Sequence, residues 1–254
     1  MVQVHAPRPF GHEIGAYFAV QESLAEATAH VASTGAFPLI LGGNCGCVLG
    51  ATAGMGLRER SGVVWFDAHG DANTPDSTES GFLDGMPVAI LTGQCWRGLS
   101  RSVPGFSPIP GNQILLAGVR SVDEREHDVI EEAGICLVSS ESLRPAPDSP
   151  FARALNVLGA RVQSVHVHVD LDVIDTADGI ANEFAAGDGP SLAALTASID
   201  AIGAAIPVNS ISLTSYDPEH DTDGRAAASA LRILDSLASL APRSGQKSVP
   251  VKTS

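Results

Sequence analysis

The stretch Gly62-Val-Val-Trp-Phe-Asp-Ala-His-Gly-Asp71 joins an apolar run of strand length to three alternating polar residues, Asp67, His69 and Asp71. A short apolar run bounded by a polar, Gly-containing turn reads as a buried strand. Comparable runs recur: Phe37-Pro-Leu-Ile-Leu41, Gln113-Ile-Leu-Leu-Ala117, the shorter Ile135-Cys-Leu-Val138, Ser164-Val-His-Val-His-Val-Asp170 and Ser210-Ile-Ser-Leu213. Helical patterns lie between them. Residues 20–31 space their apolar side chains three and four apart and close at Gly35, and residues 124–133 close at Gly134. Residues 191–202 and 226–240 give two further amphipathic segments. Strands alternating with helices predict βαβ units on a mostly parallel sheet, the α/β class. No internal repeat or interior linker interrupts the pattern. One domain over residues 1–241 is expected, followed by a flexible polar tail over residues 242–254.

Composition narrows the class. The 254 residues are 44% hydrophobic and 17% charged, which is globular and leaves little room for extended disorder. Fifteen Lys and Arg against 29 Asp and Glu give a net charge of −14. That sign argues against a nucleic-acid backbone or an anionic membrane as partner, and it suits a basic substrate or bound divalent metal. No apolar run reaches membrane-spanning length, and Met1-Val-Gln-Val-His-Ala-Pro-Arg-Pro9 lacks the regions of a signal peptide. Cys45, Cys47, Cys95 and Cys136 are too few for a disulfide framework. A cytoplasmic enzyme is the expected class.

Three segments carry chemistry. Asp67, His69 and Asp71 alternate just after a strand, so an extended chain points all three to one side. Asp-x-His-x-Asp mixes ligand types that suit Mn, Fe or Zn; a polar βα loop accounts for the same residues without a metal. In His166-Val-His-Val-Asp-Leu-Asp172, His166, His168, Asp170 and Asp172 share one face of a strand. A half-exposed strand alternates in this way too. Carboxylates at the C-terminal end of a buried strand, however, need a partner, and that end is where open α/β sheets bind ligands. Leu41-Gly-Gly-Asn-Cys-Gly-Cys47 again follows a strand. It reads as a tight glycine turn with buried thiols or, for Cys45, as a source of metal-bound thiolate.

Taken in order and spacing, Gly42-Gly43-Asn44-Cys45, Asp67-Ala-His69-Gly-Asp71 and Asp170-Leu-Asp172 resemble the metal signatures of the arginase/agmatinase (ureohydrolase) family, and Tyr216-Asp-Pro-Glu-His-Asp221 resembles a fourth segment. The likeness runs from about residue 37 to 240. It implies a three-layer α/β/α sandwich with two Mn2+ ions at the strand ends, held by Cys45, Asp67, His69, Asp71, Asp170 and Asp172. Family members usually carry His where this chain has Cys45. The implied reaction is metal-assisted hydrolysis of a guanidino group, releasing urea or a urea analogue and an amine. Asp71 and Asp84 are the candidate catalytic residues.

The resemblance also implies a substrate pocket. Asn73, Thr78 and Ser80 look like the residues that hold an α-carboxylate, and Asp123 and Glu126 like those near an α-amino group; ordinary loop capping by Asn, Ser and Thr is the competing account. Asp84 stands where arginases place a proton-shuttling His, and Ser215 where they place a Glu that anchors the guanidinium. Ser215 therefore points toward a less basic guanidine such as N-hydroxyarginine, unless Asp217 or Glu219 supplies the charge. A non-catalytic metal-binding relative is the rival class. The family usually has a strand and loop before the helix that leads to the first glycine motif; here that motif begins at Gly42, so this leading strand is expected to be missing, with an open sheet edge and a homo-oligomer in consequence.

Overall fold

The computed structural model describes residues 1–7, 11–56, 60–143 and 146–242. The apolar runs pair as expected into strands β1 Leu39–Leu41, β2 Ser61–Phe66, β3 Ile114–Val119, β4 Cys136–Ser139, β5 Ser164–Asp170 and β6 Val208–Thr214. They form one sheet in the order β1-β6-β5-β2-β3-β4, with every neighbouring pair parallel. The first strand is shorter than the apolar run that predicts it. Pro38 has no N–H to donate, although its carbonyl still accepts from Ile211 N at 3.1 Å.

The helices are α1 Glu13–Ser33, α2 Cys47–Gly54, α3 Pro87–Leu91, α4 Arg97–Ser100, α5 Glu124–Ala133, α6 Pro150–Gly159, α7 Leu192–Ala205 and α8 Arg225–Ser239. Strand alternation divides the core in two. Val64, Phe66, Val165, Val167 and Val169 pack with Leu155, Leu195, Ile199 and Ile233 of α6, α7 and α8. On the opposite face, Val63, Trp65, Ile114 and Leu116 pack with Phe18, Leu49, Ile90 and Ile130 of α1, α2, α3 and α5. The result is a three-layer α/β/α sandwich. The helix over residues 20–31 begins earlier than its pattern suggests, because Tyr17 and Phe18 extend the buried stripe toward the N-terminus.

Two features of this sheet position the site. From β2 the chain moves outward to β3 and β4, then returns so that β5 and β6 lie on the other side of β2. The loops after β2 and β5 therefore diverge at the centre of the sheet, a topological switch point where α/β folds take ligands. In addition, β5 is covered on both faces: His166 and His168 are as buried as Val165, Val167 and Val169. The half-exposed account of its alternation is thereby excluded. The polar side of β5 and β6, with His166, His168, Ser210, Ser212 and Thr214, lies buried in the molecule.

At the opposite end of the order, β1 pairs, among the described residues, with β6 alone and leaves Leu39 40% and Leu41 65% exposed. Pro242 is the last described residue, so the expected tail beyond it lies outside the described residues. Among the described residues, no helix is long and apolar enough to cross a membrane.

Candidate metal centre

The loops after β1, β2, β5 and β6 converge on a cavity of about 440 Å3 at the C-terminal edge of the sheet. Its walls include Asp67, His69, Asp71, Asn73, Thr78, Ser80, Asp84, Asp123, Glu126, Asp170, Asp172 and Ser215. Cys45 sits beneath them, 1% exposed. The expected ligands, catalytic residues and substrate contacts are therefore drawn to one place, whereas Glu219 does not line the cavity; they do not all do the same thing there.

Donor atoms of Cys45, Asp67 and His168 form one group and those of Asp67, His69 and Asp172 a second, each with its atoms within 4.8 Å of one another. Asp67 belongs to both. Asp170 joins them through the thiol, which donates to its Oδ2 at 2.7 Å. Asp172 departs from its expected place on the strand: it lies beyond β5, in a 3-10 turn over Leu171–Val173, where its N–H donates to Asp170 Oδ1 at 2.9 Å. Asp71 departs from the extended run as well. Its φ of +50° turns the chain at that residue, and Asp71 lines the cavity without entering either group of three. Left-handed conformations of non-glycine residues cluster at functional sites. Ser215, at φ +67°, is a second instance, and its hydroxyl donates to Asp170 Oδ2.

The electrostatics favour a cation. Burial, reinforced by Asp172, raises the Asp67 carboxyl above its ordinary range. Burial and the neighbouring carboxylates push Asp71 and Asp170 far up in the same way. Among the described residues, His69 alone lies in ion-pair range of Asp67 and Asp172, with Nδ1 3.4 Å from each. Burial works against its charge, but hydrogen bonds to Asp172 and Asp67 raise its pKa to about 10. Those interactions in turn lower Asp172 despite its burial. A cluster that holds a proton on imidazole to offset buried carboxylates suits a divalent ion in its place. The carboxylate, imidazole and thiol donors are those of a transition-metal site.

Several neighbours fix these donors. Trp65 Nε1 donates to Asp67 Oδ2 at 3.0 Å, and its ring packs 4.1 Å from that of His168. Arg120 spreads its guanidinium over the carbonyls of Gly118, Asp172, Val173, Ile174, Ala186 and Gly187, tying the Asp172 turn to the loop that faces it. Neither residue was singled out from the sequence. Arg120 stands beside the predicted Asp123 and Glu126, but nothing local announces that it binds backbone some fifty residues away.

The pocket residues divide by role. Asn73 Nδ2 donates to Asp123 Oδ2 at 3.0 Å, and Ser77 Oγ donates to Asn73 Oδ1 at 2.9 Å. Thr78 Oγ1 accepts from Gly81 N and Ser80 Oγ from Phe82 N, which are local turn bonds, while both residues still line the cavity. Glu126 is turned to the backbone, with Oε1 accepting from Ala72 N at 2.8 Å and Oε2 from Asp123 N at 3.2 Å. Gly70 permits this approach, since a Cβ there would meet Glu126 Oε1 at 2.6 Å. Asp217 also faces the cavity, its carboxylate accepting from Glu219 N at 2.9 Å and paired with His220. Asp84 accepts from Gly46 N at 3.1 Å and Cys45 N at 3.3 Å, just before α2.

Comparison with known proteins identifies the class. The arginase family model matches residues 7–239, and the chain belongs to that family, whose members hydrolyse amidino C–N bonds. It is 33% identical to the arginase of Bacillus caldovelox over 225 residues, covering 85% of this chain and 73% of the relative. It is 35% identical to human arginase-1 over 161 residues, 61% of this chain and half of that protein. The solved B. caldovelox arginase superposes with a TM-score of 0.81 at 29% identity, over 93% of this chain and 81% of that one. An agmatine ureohydrolase of Thermoplasma volcanium shares the fold at 19% identity, with a TM-score of 0.67 over 89% of this chain and 69% of that one.

Proposed function

We propose that this protein hydrolyses the guanidino group of a small arginine-like compound to urea, or a urea analogue, and an amine. One observation carries the reading: two groups of three metal-type donors share Asp67 on the floor of an acidic cavity in a chain of the arginase family. Cys45, Asp67, His69, Asp71, Asp170 and Asp172 would hold a pair of divalent ions. Mn2+ is the ion implied by the family resemblance, and the oxygen-rich donors around Asp172 suit it. When bound, such a pair supplies the Lewis acidity that makes water nucleophilic at neutral pH.

The chain's own residues do the rest. Among the described residues, the cavity is lined by Asp and Glu and by no Lys or Arg, so it attracts a cationic substrate. Thr78 and Ser80 offer hydroxyl protons to a carboxylate at the mouth, and Asp123 offers an acceptor to an ammonium. Ser215 faces the guanidino end with a hydroxyl in place of a carboxylate. Asp71 and Asp84 line the same cavity and would exchange protons with a departing amine, Asp84 with its pKa raised to about 6 by burial. Self-association across the open β1 edge belongs to the same reading, and sedimentation of the full chain checks it.

The experiment is a substrate panel. Metal-depleted protein is reloaded with Mn2+ and offered arginine, N-hydroxyarginine, agmatine and guanidino acids. Release of urea or hydroxyurea from at least one, lost on chelation and in Asp67→Asn, is the expected outcome. Bound metal without turnover on any of them would overturn the reading and favour a non-catalytic relative.

A further inference from the structure

The group containing Cys45 differs in kind from its neighbour. Its donors are one sulfur, one imidazole nitrogen and one carboxylate, whereas Asp67, His69 and Asp172 offer only nitrogen and oxygen. His168 is the unforeseen member. It projects from the middle of β5 with no exposure, and its Nε2 lies 3.2 Å from Cys45 Sγ. Two such atoms bound to one tetrahedral zinc ion stand about 3.5 Å apart, so the separation already matches a shared ion within a few tenths of an ångström.

Outer partners hold each donor as metal sites require. His168 Nδ1 is fixed by Ser212 Oγ at 2.7 Å, which leaves Nε2 directed at the thiol. Ser212 is itself held by His166 Nε2 at 2.9 Å, and His166 Nδ1 by Ser210 Oγ at 2.8 Å. Trp65 covers the His168 ring and donates to Asp67. A relay of buried polar groups across β5 and β6, two strands whose opposite face carries Val165, Val167, Val169, Val208, Ile211 and Leu213, thus serves to orient one imidazole nitrogen.

We propose that Cys45, His168 and Asp67 form a thiolate–imidazole–carboxylate site selective for a thiophilic divalent ion, Zn2+ or Co2+, over Mn2+. The centre is then mixed, with a softer ion beneath Cys45 and a harder one beside Asp172. Thiolate and imidazole favour zinc-type ions, and carboxylate-rich sites favour manganese. The inference rests on the two-ion reading above and refines the identity of one ion.

Co2+ titrated into the metal-depleted full-length protein provides the test. The wild type is expected to show a near-ultraviolet thiolate-to-cobalt band together with intense visible bands of a four-coordinate ion. Cys45→Ser should lose the first. His168→Gln should keep it but lose visible intensity and bind at least ten-fold more weakly. Zinc K-edge absorption of the wild type needs no variant: one sulfur scatterer at about 2.3 Å plus imidazole is expected. An oxygen-and-nitrogen shell without sulfur, or a His168→Gln protein that matches wild type in spectrum and affinity, overturns the proposal and leaves the two-ion reading intact. Failure of every divalent ion to bind overturns both.

Discussion

Asp84 reaches back to the N–H groups that open α2, accepting from Gly46 at 3.1 Å and from Cys45 at 3.3 Å. The carboxylate therefore fixes the backbone of a proposed ligand while it borders the cavity. Gly46 is constrained too, because a Cβ there would stand 2.3 Å from the Tyr17 ring. Both contacts fall on the Cys45–Gly46 turn.

This dual position separates two variants. Asp84→Ala removes both acceptors and should lower the stability of the metal-free protein by about 1 kcal/mol, as loss of a helix cap does. Asp84→Asn keeps one acceptor and removes a buried charge, so its melting temperature should equal or exceed that of wild type. If the two variants melt together, the backbone contacts are not what the carboxylate contributes.

Asp67 belongs to both donor groups, whereas His69 and Cys45 belong to one each. Asp67→Ala should therefore abolish high-affinity binding of both ions, and His69→Ala or Cys45→Ser should remove one. Metal content after gel filtration checks this. Wild-type protein at a hundred-fold excess of ion over Kd should gain about 2.7 kcal/mol of stability per ion bound. Two ions retained in Asp67→Ala would show that the groups are independent of it.

Arg120 uses its whole fork of donors on backbone carbonyls, a task an ammonium cannot copy. Arg120→Lys should weaken the ion beside Asp172 by about ten- to a hundred-fold, the usual cost of losing an outer partner. The Cys45 group should keep its affinity. Cobalt titration distinguishes the two, and equal weakening of both would mean general unfolding.

Much of this architecture was legible in the sequence, because strand period and turn residues are local. The six strands and the ends of α5 follow from them. So does the polar face of β5, since period two fixes which residues share a side. What the pattern does not state is what lies opposite. His168 became a donor only because α2 brings Cys45 to it across 123 residues. Glu126 resembles a substrate contact in the sequence, yet in the fold it satisfies the N–H groups of Ala72 and Asp123. Asp71 departed from its extended run because the chain turns there toward Val88, whose N–H donates to the Asp71 carbonyl at 2.8 Å.

The buried relay has a pH signature. Burial lowers His166 to about 3, so it is neutral in the fold and protonates readily only when unfolded. A group depressed in this way supports the fold above its unfolded value, about 6.5, and withdraws that support as pH falls toward 3. Metal-free wild type should lose about 1.4 kcal/mol per pH unit from this residue across that window. His166→Gln, measured by denaturant unfolding at pH 7, 6, 5 and 4, should lose correspondingly less. Parallel curves would show that His166 is not buried neutral.

On the proposed reading, Ser215 sets the substrate preference. A cationic guanidinium without a carboxylate partner forgoes a charge-assisted hydrogen bond of about 1.5–3 kcal/mol. Ser215→Glu should then raise kcat/KM for arginine relative to N-hydroxyarginine by about ten- to a hundred-fold. An unchanged ratio with both ions retained would move the discrimination to Asp84 or Glu219.

The central claim is that water cleaves the bond between the guanidino carbon and the substituted nitrogen in this cavity, releasing urea and an amine, and turnover in 18O-labelled water tests it most directly. With an arginine-like substrate, one labelled oxygen should appear in the carbonyl of the released urea and none in the amine. Unlabelled urea, or label retained in a ureido product with release of ammonia, would contradict it.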